Sequence, residues 1–163
     1  MNLKGDLHKE MEQLSEDLTK RYDELGMRAS GNWAKSKEVK TEVKDLRIIS
    51  TLYGPQYTGA LEFGRGPTKK SSSGGGKTLQ ERIEEWINVK GISSDIPVRS
   101  LAFLIARRIH QEGTRYYRQG GTDLISSVVT EDRIADMIER IGILGTNVVV
   151  SGILDKYKQM VTA

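Results

Sequence analysis

The chain has 163 residues, enough for one domain with a sizeable core, and it contains no cysteine, which excludes disulfides and thiolate metal sites. No apolar run approaches the roughly 20 residues of a membrane-spanning helix, and the N-terminus lacks the apolar segment of a signal peptide, so we expect a soluble protein with no membrane partner. The net charge of +3 comes from 25 basic and 22 acidic residues of interleaved sign, a balance that does not by itself demand nucleic acid.

The first predicted element is an amphipathic helix from Leu3 to Leu25. Its apolar residues recur at spacings of three and four, and Gly26 supplies a stop signal. Such a stripe is typical of a helix that packs on a sheet or on a neighbouring subunit.

A β-hairpin is predicted next, from about Ser36 to Tyr53, because polar and apolar residues alternate with a period of two. Lys44-Asp45 is the expected tight turn, and Gly54-Pro55 ends the hairpin. The short apolar run from Tyr57 to Phe63 fits either a third strand or a turn of helix, and the pattern leaves both open.

Residues 64–78 show no periodicity and predict a long, flexible and exposed loop. Helical spacing then returns in four stretches. The first is Leu79–Val89, with Thr78 as its N-cap, and the second begins at Pro97 and stops at Gly113. The third follows Thr130, and the fourth is Val148–Met160, whose first valines could instead add a strand. The apolar run at residues 124–129 could be strand or helix. We therefore predict a single α+β domain over residues 1–163, with a helical C-terminal extension from about residue 130 to residue 163.

One stretch imitates a phosphate-binding loop. Gly76-Lys77-Thr78 ends as such a loop does, but Ser71 stands where the motif needs glycine, and no apolar strand leads into it. A flexible linker that runs into a helix cap explains the stretch better. Glu81 and Glu85 are typical of a solvated helix face, and His110 has no second ligand nearby in sequence. We expect no catalytic residue, no cofactor and no metal, and we predict that the protein is not an enzyme.

The segment from Arg107 to Arg118 is rich in arginine and also contains Tyr116 and Tyr117. This composition suits contacts to phosphate with base stacking, and it equally suits a protein–protein interface, which is the interpretation that we favour. The alternative is a nucleic-acid-binding accessory protein that uses the basic loop together with this segment.

The residues Tyr53-Gly54-Pro55, Tyr57 and Leu61-Glu62-Phe63-Gly64-Arg65-Gly66-Pro67 resemble the small neck proteins of tailed bacteriophages, of the tail-completion or head–tail joining class. In that class a strand leads into an EFG turn and then into a long loop. The order of an N-terminal helix, a Gly/Asn turn, a hairpin, the EFG turn and later helices also agrees. The similarity covers about residues 1–129, and the helical C-terminal part departs from the shorter members.

The resemblance implies a structural protein of the virion neck, a head–tail connector, tail-completion or tail-terminator protein that is made in the host cytoplasm. Copies would form a homo-oligomeric ring between portal and tail, in contact with portal, other neck or tail tube proteins, and with non-specific contact to genomic DNA in the lumen. The residues that we single out as a candidate oligomer interface are Tyr57, Glu62, Phe63, Arg65, Lys69, Lys70, Lys77, Arg115, Tyr116, Tyr117 and Arg118.

Overall fold

The computed structural model describes residues 2–45, 47–68 and 76–145, and its architecture is α+β, as predicted. The elements are α1 Leu3–Glu24, α2 Asn32–Lys35, β1 Glu38–Lys44, β2 Arg47–Tyr53, α3 Thr58–Phe63, α4 Leu79–Lys90, α5 Val98–Glu112, α6 Arg115–Arg118 and α7, which is helical over 131–145. None of the described helices is both long enough and apolar enough to cross a membrane.

The chain folds into two compact units that are interleaved along the sequence. The first unit comprises Met1–Arg21, Lys37–Gly54 and the chain from Ile125 onward, and the second comprises Tyr22–Ser36 and Pro55–Leu124. The first unit thus holds most of α1, the hairpin and α7. The second unit holds α2 to α6.

Strands β1 and β2 form the predicted hairpin, a two-stranded antiparallel sheet. Val39 lies opposite Leu52 and Thr41 opposite Ser50, and this face is half-buried while most of the other face is exposed, so the period of two is confirmed. The turn begins one residue later than predicted. Lys44 still pairs with Arg47, and Asp45 follows with a left-handed φ of 49°.

Helix α1 is the long element of the first unit, and the hairpin lies along one side of it. The imidazole Nδ1 of His8 is 3.0 Å from the hydroxyl of Thr41, and the ammonium of Lys37 donates to the carbonyl of Ser15. Since the later strand residue meets the earlier helix residue, β1 runs antiparallel to α1. Of the two partners that the apolar stripe leaves open for this helix, a sheet or a neighbouring subunit, the structure shows the hairpin beside it.

Helix α7 lies along another side of α1. Arg133 pairs with Asp17, and Arg140 pairs with Glu10, at 2.6 and 2.7 Å. The two arginines are two helical turns apart on α7, and the two carboxylates are two turns apart on α1. Because the later arginine meets the earlier carboxylate, the two helices are antiparallel. The predicted cap is present, since the Arg133 amide donates to the hydroxyl of Thr130. The helix predicted over 148–160 lies outside the described residues.

The sequence leaves the secondary structure of two apolar runs open, and the structure assigns a different one to each. Tyr57–Phe63 contains the short helix α3 rather than a third strand, because the turn after Gly54 directs the Thr58 amide to the carbonyl of Pro55, 2.9 Å away. Residues 124–129 form turns and are neither strand nor helix, with the amides of Val128 and Val129 both bonded to Ile125.

The core of the second unit lies between α4 and α5. Ile83 and Ile87 pack against Ala102 and Ala106, whose small side chains allow the two helices to approach closely. Helix α4 begins at the predicted cap, where the hydroxyl of Thr78 accepts from the Glu81 amide and the Glu81 carboxylate accepts from the Thr78 amide.

A tryptophan also anchors the second unit, where the sequence predicts only a turn. Trp33 is buried in the single turn of α2, with its ring 4.7 Å from that of Tyr22. Its indole N–H donates to the hydroxyl of Thr58 at 3.0 Å, which attaches α2 to the start of α3. Both polar and apolar parts of this side chain are thereby satisfied.

Candidate interaction site

The EFG turn and the segment after α5, which are distant in sequence, are joined by paired hydrogen bonds within the second unit. The amide of Arg65 donates to the hydroxyl of Thr114 at 2.9 Å, and the amide of Thr114 donates to the carbonyl of Arg65 at 2.8 Å. Thr68 and His110 form a second pair of contacts. The amide of Thr68 donates to the carbonyl of His110 at 3.1 Å, and the hydroxyl of Thr68 lies 2.7 Å from Nδ1 of His110. We call residues 57–68 together with 110–122 the EFG junction.

The EFG junction is closed at its other end by Thr122, which is buried. The amide of Thr122 donates to the carbonyl of Glu62, and its hydroxyl donates to the carbonyl of Leu61, each at 2.8 Å. The side chain of Glu62 is itself buried. Glu62, one of the candidate contact residues, therefore lies inside the EFG junction rather than on its surface.

Glycine is required at two positions of the EFG junction. Gly64 has a φ of 75°, and a Cβ atom there would lie 2.1 Å from the backbone nitrogen of Tyr117. Gly113 has a φ of 82°, and a Cβ atom there would lie 2.8 Å from the carbonyl oxygen of Arg65. Both positions combine a left-handed backbone with a close approach of two chain segments, which only glycine accommodates. This is a physical reason for the glycine of the EFG motif.

Large aromatic side chains are exposed on this braced backbone. Phe63 is 67% exposed, and about half of the Tyr57 and Tyr117 side chains is also accessible. Tyr116 is half-buried. The structure thus places Tyr57, Phe63 and Arg65 in the same junction as the predicted Arg/Tyr segment, although 49 residues separate Arg65 from Thr114 in sequence.

Several basic side chains of the predicted site are engaged by carboxylates. Glu112 accepts from both Arg108 and Arg118, at 3.0 and 2.9 Å. Lys77 pairs with Glu85 on α4. Arg115 is exposed and makes no ion pair within the described part of the chain. Lys69 and Lys70 lie outside the described residues.

An apolar groove adjoins the EFG junction and was not predicted. It has a volume of about 630 Å³, and its floor consists of Leu61, Ile83, Trp86, Ile105, Ile109 and Tyr116. Lys90, Arg108, Arg115 and Arg118 also line it, so its lining is basic as well as apolar. Trp86 belongs to the apolar stripe of α4, and the structure leaves its side chain 42% exposed at this groove.

The imitation of a phosphate-binding loop has a structural explanation. Thr78 caps α4, and Lys77 binds Glu85 one to two turns further along that helix. Hydrogen bonds from the backbone and hydroxyl of Thr78 lower the pKa of Glu81. Across residues 2–45, 47–68 and 76–145, no group of three or more histidine, aspartate and glutamate side chains is placed to hold a metal ion.

No protein-family model, no curated protein and no solved structure matches the chain. The similarity of the EFG motif to phage neck proteins accordingly depends on the residues quoted for it. What the structure adds is the environment of that motif, namely a braced backbone with exposed aromatic side chains beside a groove.

Proposed function

We propose that the protein is a non-enzymatic structural subunit of the neck of a tailed bacteriophage, which assembles into a homo-oligomeric ring joining the portal to the tail. Its place of action would be the virion, and its partners further copies of itself, portal or other neck proteins and the tail tube. The EFG junction carries the proposal. It is the motif on which the resemblance depends, and it presents exposed aromatic side chains on a braced backbone.

Rigid exposed aromatic residues are costly unless a partner covers them. Phe63 and Tyr57 keep apolar surface in water, where burying it would stabilise the protein by about 25 cal/mol for each Å². The hydrogen bonds around Thr114 and Thr122 already fix the backbone that carries them. Association then loses little further conformational entropy, which is the benefit of a preorganised contact. Aromatic residues of this kind dominate the energetics of protein–protein interfaces.

Ion pairs within the chain reduce the charge that this site can offer to nucleic acid, and its exposed aromatic side chains favour a protein partner. Glu112 engages two of the arginines in the Arg/Tyr segment and Glu85 engages Lys77, while Arg115 and Lys90 leave a positive charge that an acidic protein surface would also complement. Each carboxylate reduces the local positive charge by one. The exposed parts of Phe63 and Tyr117 remain available for apolar contact.

The proposal is tested by the mass of the protein in solution, measured by light scattering over a concentration series at low and high salt. We expect multimers that persist at high salt, alone or on addition of a portal complex. Phe63→Ala should reduce assembly at least tenfold without lowering the stability of the subunit, because about 1.4 kcal/mol corresponds to a factor of ten. Val89→Ala is the matched control, since Val89 is 56% exposed on α4 and lies outside the groove.

A different result would overturn the proposal. A chain that remains monomeric with and without virion components, and that retards DNA at low but not at high salt, would instead be a nucleic-acid-binding protein, because contacts to phosphate release counterions. Equal loss of assembly in Phe63→Ala and Val89→Ala would show that the EFG junction is not the contact.

A further inference from the structure

The lining of the groove in the second unit is apolar and basic, which would suit a helix whose exposed face is apolar and flanked by acidic residues. Its floor is apolar and includes the half-exposed Trp86, while Lys90, Arg115 and Arg118 give its lining a positive charge. Glu112 offsets only part of that charge. A buried apolar face flanked by carboxylates would complement this surface.

Helix α7 presents such a face. Its contacts to α1 use Arg133 and Arg140, with Met137 buried between them along the same side. Ile134 and Ile138 belong to another side, and Ile138 is 67% exposed. Glu131 precedes these isoleucines by three and seven residues and therefore shares their face.

We propose that α7 of one copy docks in the groove of the next copy, with Ile134 and Ile138 on the apolar floor and Glu131 toward the basic lining. The inference rests on the proposed ring, since it specifies which surfaces would meet there. The spacing of three and four residues is typical of helices that bind grooves. Because the two surfaces are different, the contact is heterologous, and an open chain of copies keeps one unused surface at each end until the ring closes.

The contact can be tested with engineered cysteines, because the chain has none of its own. Met27→Cys places a thiol in the groove lining, and Ile138→Cys places one on the exposed face of α7. The two variants are mixed under mild oxidation, so that a mixed disulfide can form only between separate chains. We expect the yield of mixed dimer to be at least five times the yield in a control mixture. In the control, Asp136→Cys, on another side of α7, replaces Ile138→Cys.

Charge exchange provides a second, independent measurement. Arg115→Glu and Glu131→Lys should each weaken self-association about tenfold, because like charges then face each other across the contact. The double variant restores opposite charges and should recover most of the lost association. Circular dichroism of each variant checks that the helices are unchanged.

The outcomes separate this inference from the proposed function. Multimers that form without a mixed disulfide above the control, and without recovery in the double variant, overturn the docking of α7 and leave the neck proposal in place. A mixed disulfide in a chain that forms no multimer with or without a portal complex supports the contact and overturns the ring. A chain that stays monomeric and forms no mixed disulfide up to its solubility limit overturns the docking of α7. The groove would then serve a different apolar partner.

Discussion

Single residues decide whether the EFG junction can form. Gly64 brings its own backbone against that of Tyr117, and the hydroxyl of Thr114 lies in the same space that a side chain at position 64 would need. Thr122 closes the other end by bonding to two consecutive carbonyl groups of α3. The exposure of Phe63 follows from this bracing, because the residue that precedes Gly64 cannot turn inward without moving the whole junction.

Gly64→Ala should lower the free energy of unfolding by at least about 2 kcal/mol, from a left-handed backbone together with a backbone clash. Gly91→Ala is the comparison, since Gly91 has a φ of 64° and a ψ of 35° with open space around it, so that only the moderate cost of an ordinary left-handed residue applies, without a clash. Chemical denaturation of both variants measures the difference. Equal losses in the two variants would contradict the close approach of Tyr117.

Among the elements, α1 organises the first unit by offering different sides to different neighbours. The hairpin contacts the side that contains His8 and Ser15, whereas α7 contacts the side that contains Glu10 and Asp17. Buried Leu14 and Leu18 belong to the apolar stripe between these sides. The long helix therefore needs both its stripe and its flanking polar residues to fix the register of its neighbours.

Local patterns predict most elements but not the site. Period and cap signals over a few residues are enough for α1, the hairpin and α4, since each pattern arises within the element itself. The choice of helix for Tyr57–Phe63 depends on bonds to Pro55 and Thr122, and the burial of Trp33 depends on Tyr22 and Thr58. The groove arises from α4, α5 and the EFG junction together, so no single stretch of sequence indicates it.

The pair between α1 and α7 predicts a specific pH dependence. A hydrogen bond from Arg133 lowers the pKa of Asp17 below its usual value of about 3.9. A lowered pKa means that the carboxylate stabilises the fold above pH 4, and that this contribution disappears as the pH falls through the folded-state pKa. Asp17→Asn should therefore cost up to about 1 kcal/mol at pH 7, because the pair is partly exposed, and progressively less as the pH falls below 4.

Denaturation of the wild type and Asp17→Asn at several pH values measures this difference. Glu16→Gln is the control, since Glu16 is the exposed neighbour of Asp17 on α1 and makes no ion pair within the described residues. A cost for Asp17→Asn that stays constant down to pH 2 would show that the charge of Asp17 does not contribute.

For the whole molecule, the decisive property is how much apolar surface the isolated chain leaves in water. Exposed apolar side chains occur in both units, among them Ile49 on the hairpin, Ile138 on α7, and Phe63 and Phe103 in the second unit. Isolated exposed apolar residues are ordinary, but patches beside a groove or on an unpartnered helix face mark interaction sites. Assembly would cover these surfaces, so the stability of the chain should depend on its own concentration.

The midpoint of thermal unfolding should therefore rise with protein concentration, because association binds only the folded state. For a chain of this length each kcal/mol gained corresponds to about 2–4 °C, so a series that spans the onset of assembly should show a rise of several degrees. Phe63→Ala should remove this dependence while leaving the midpoint of the dilute protein unchanged. Calorimetry over the same series as the light scattering measures both quantities. A midpoint independent of concentration in the wild type, at concentrations where multimers are present, would mean that the multimer forms without stabilising its subunits, contrary to a ring held by apolar contacts.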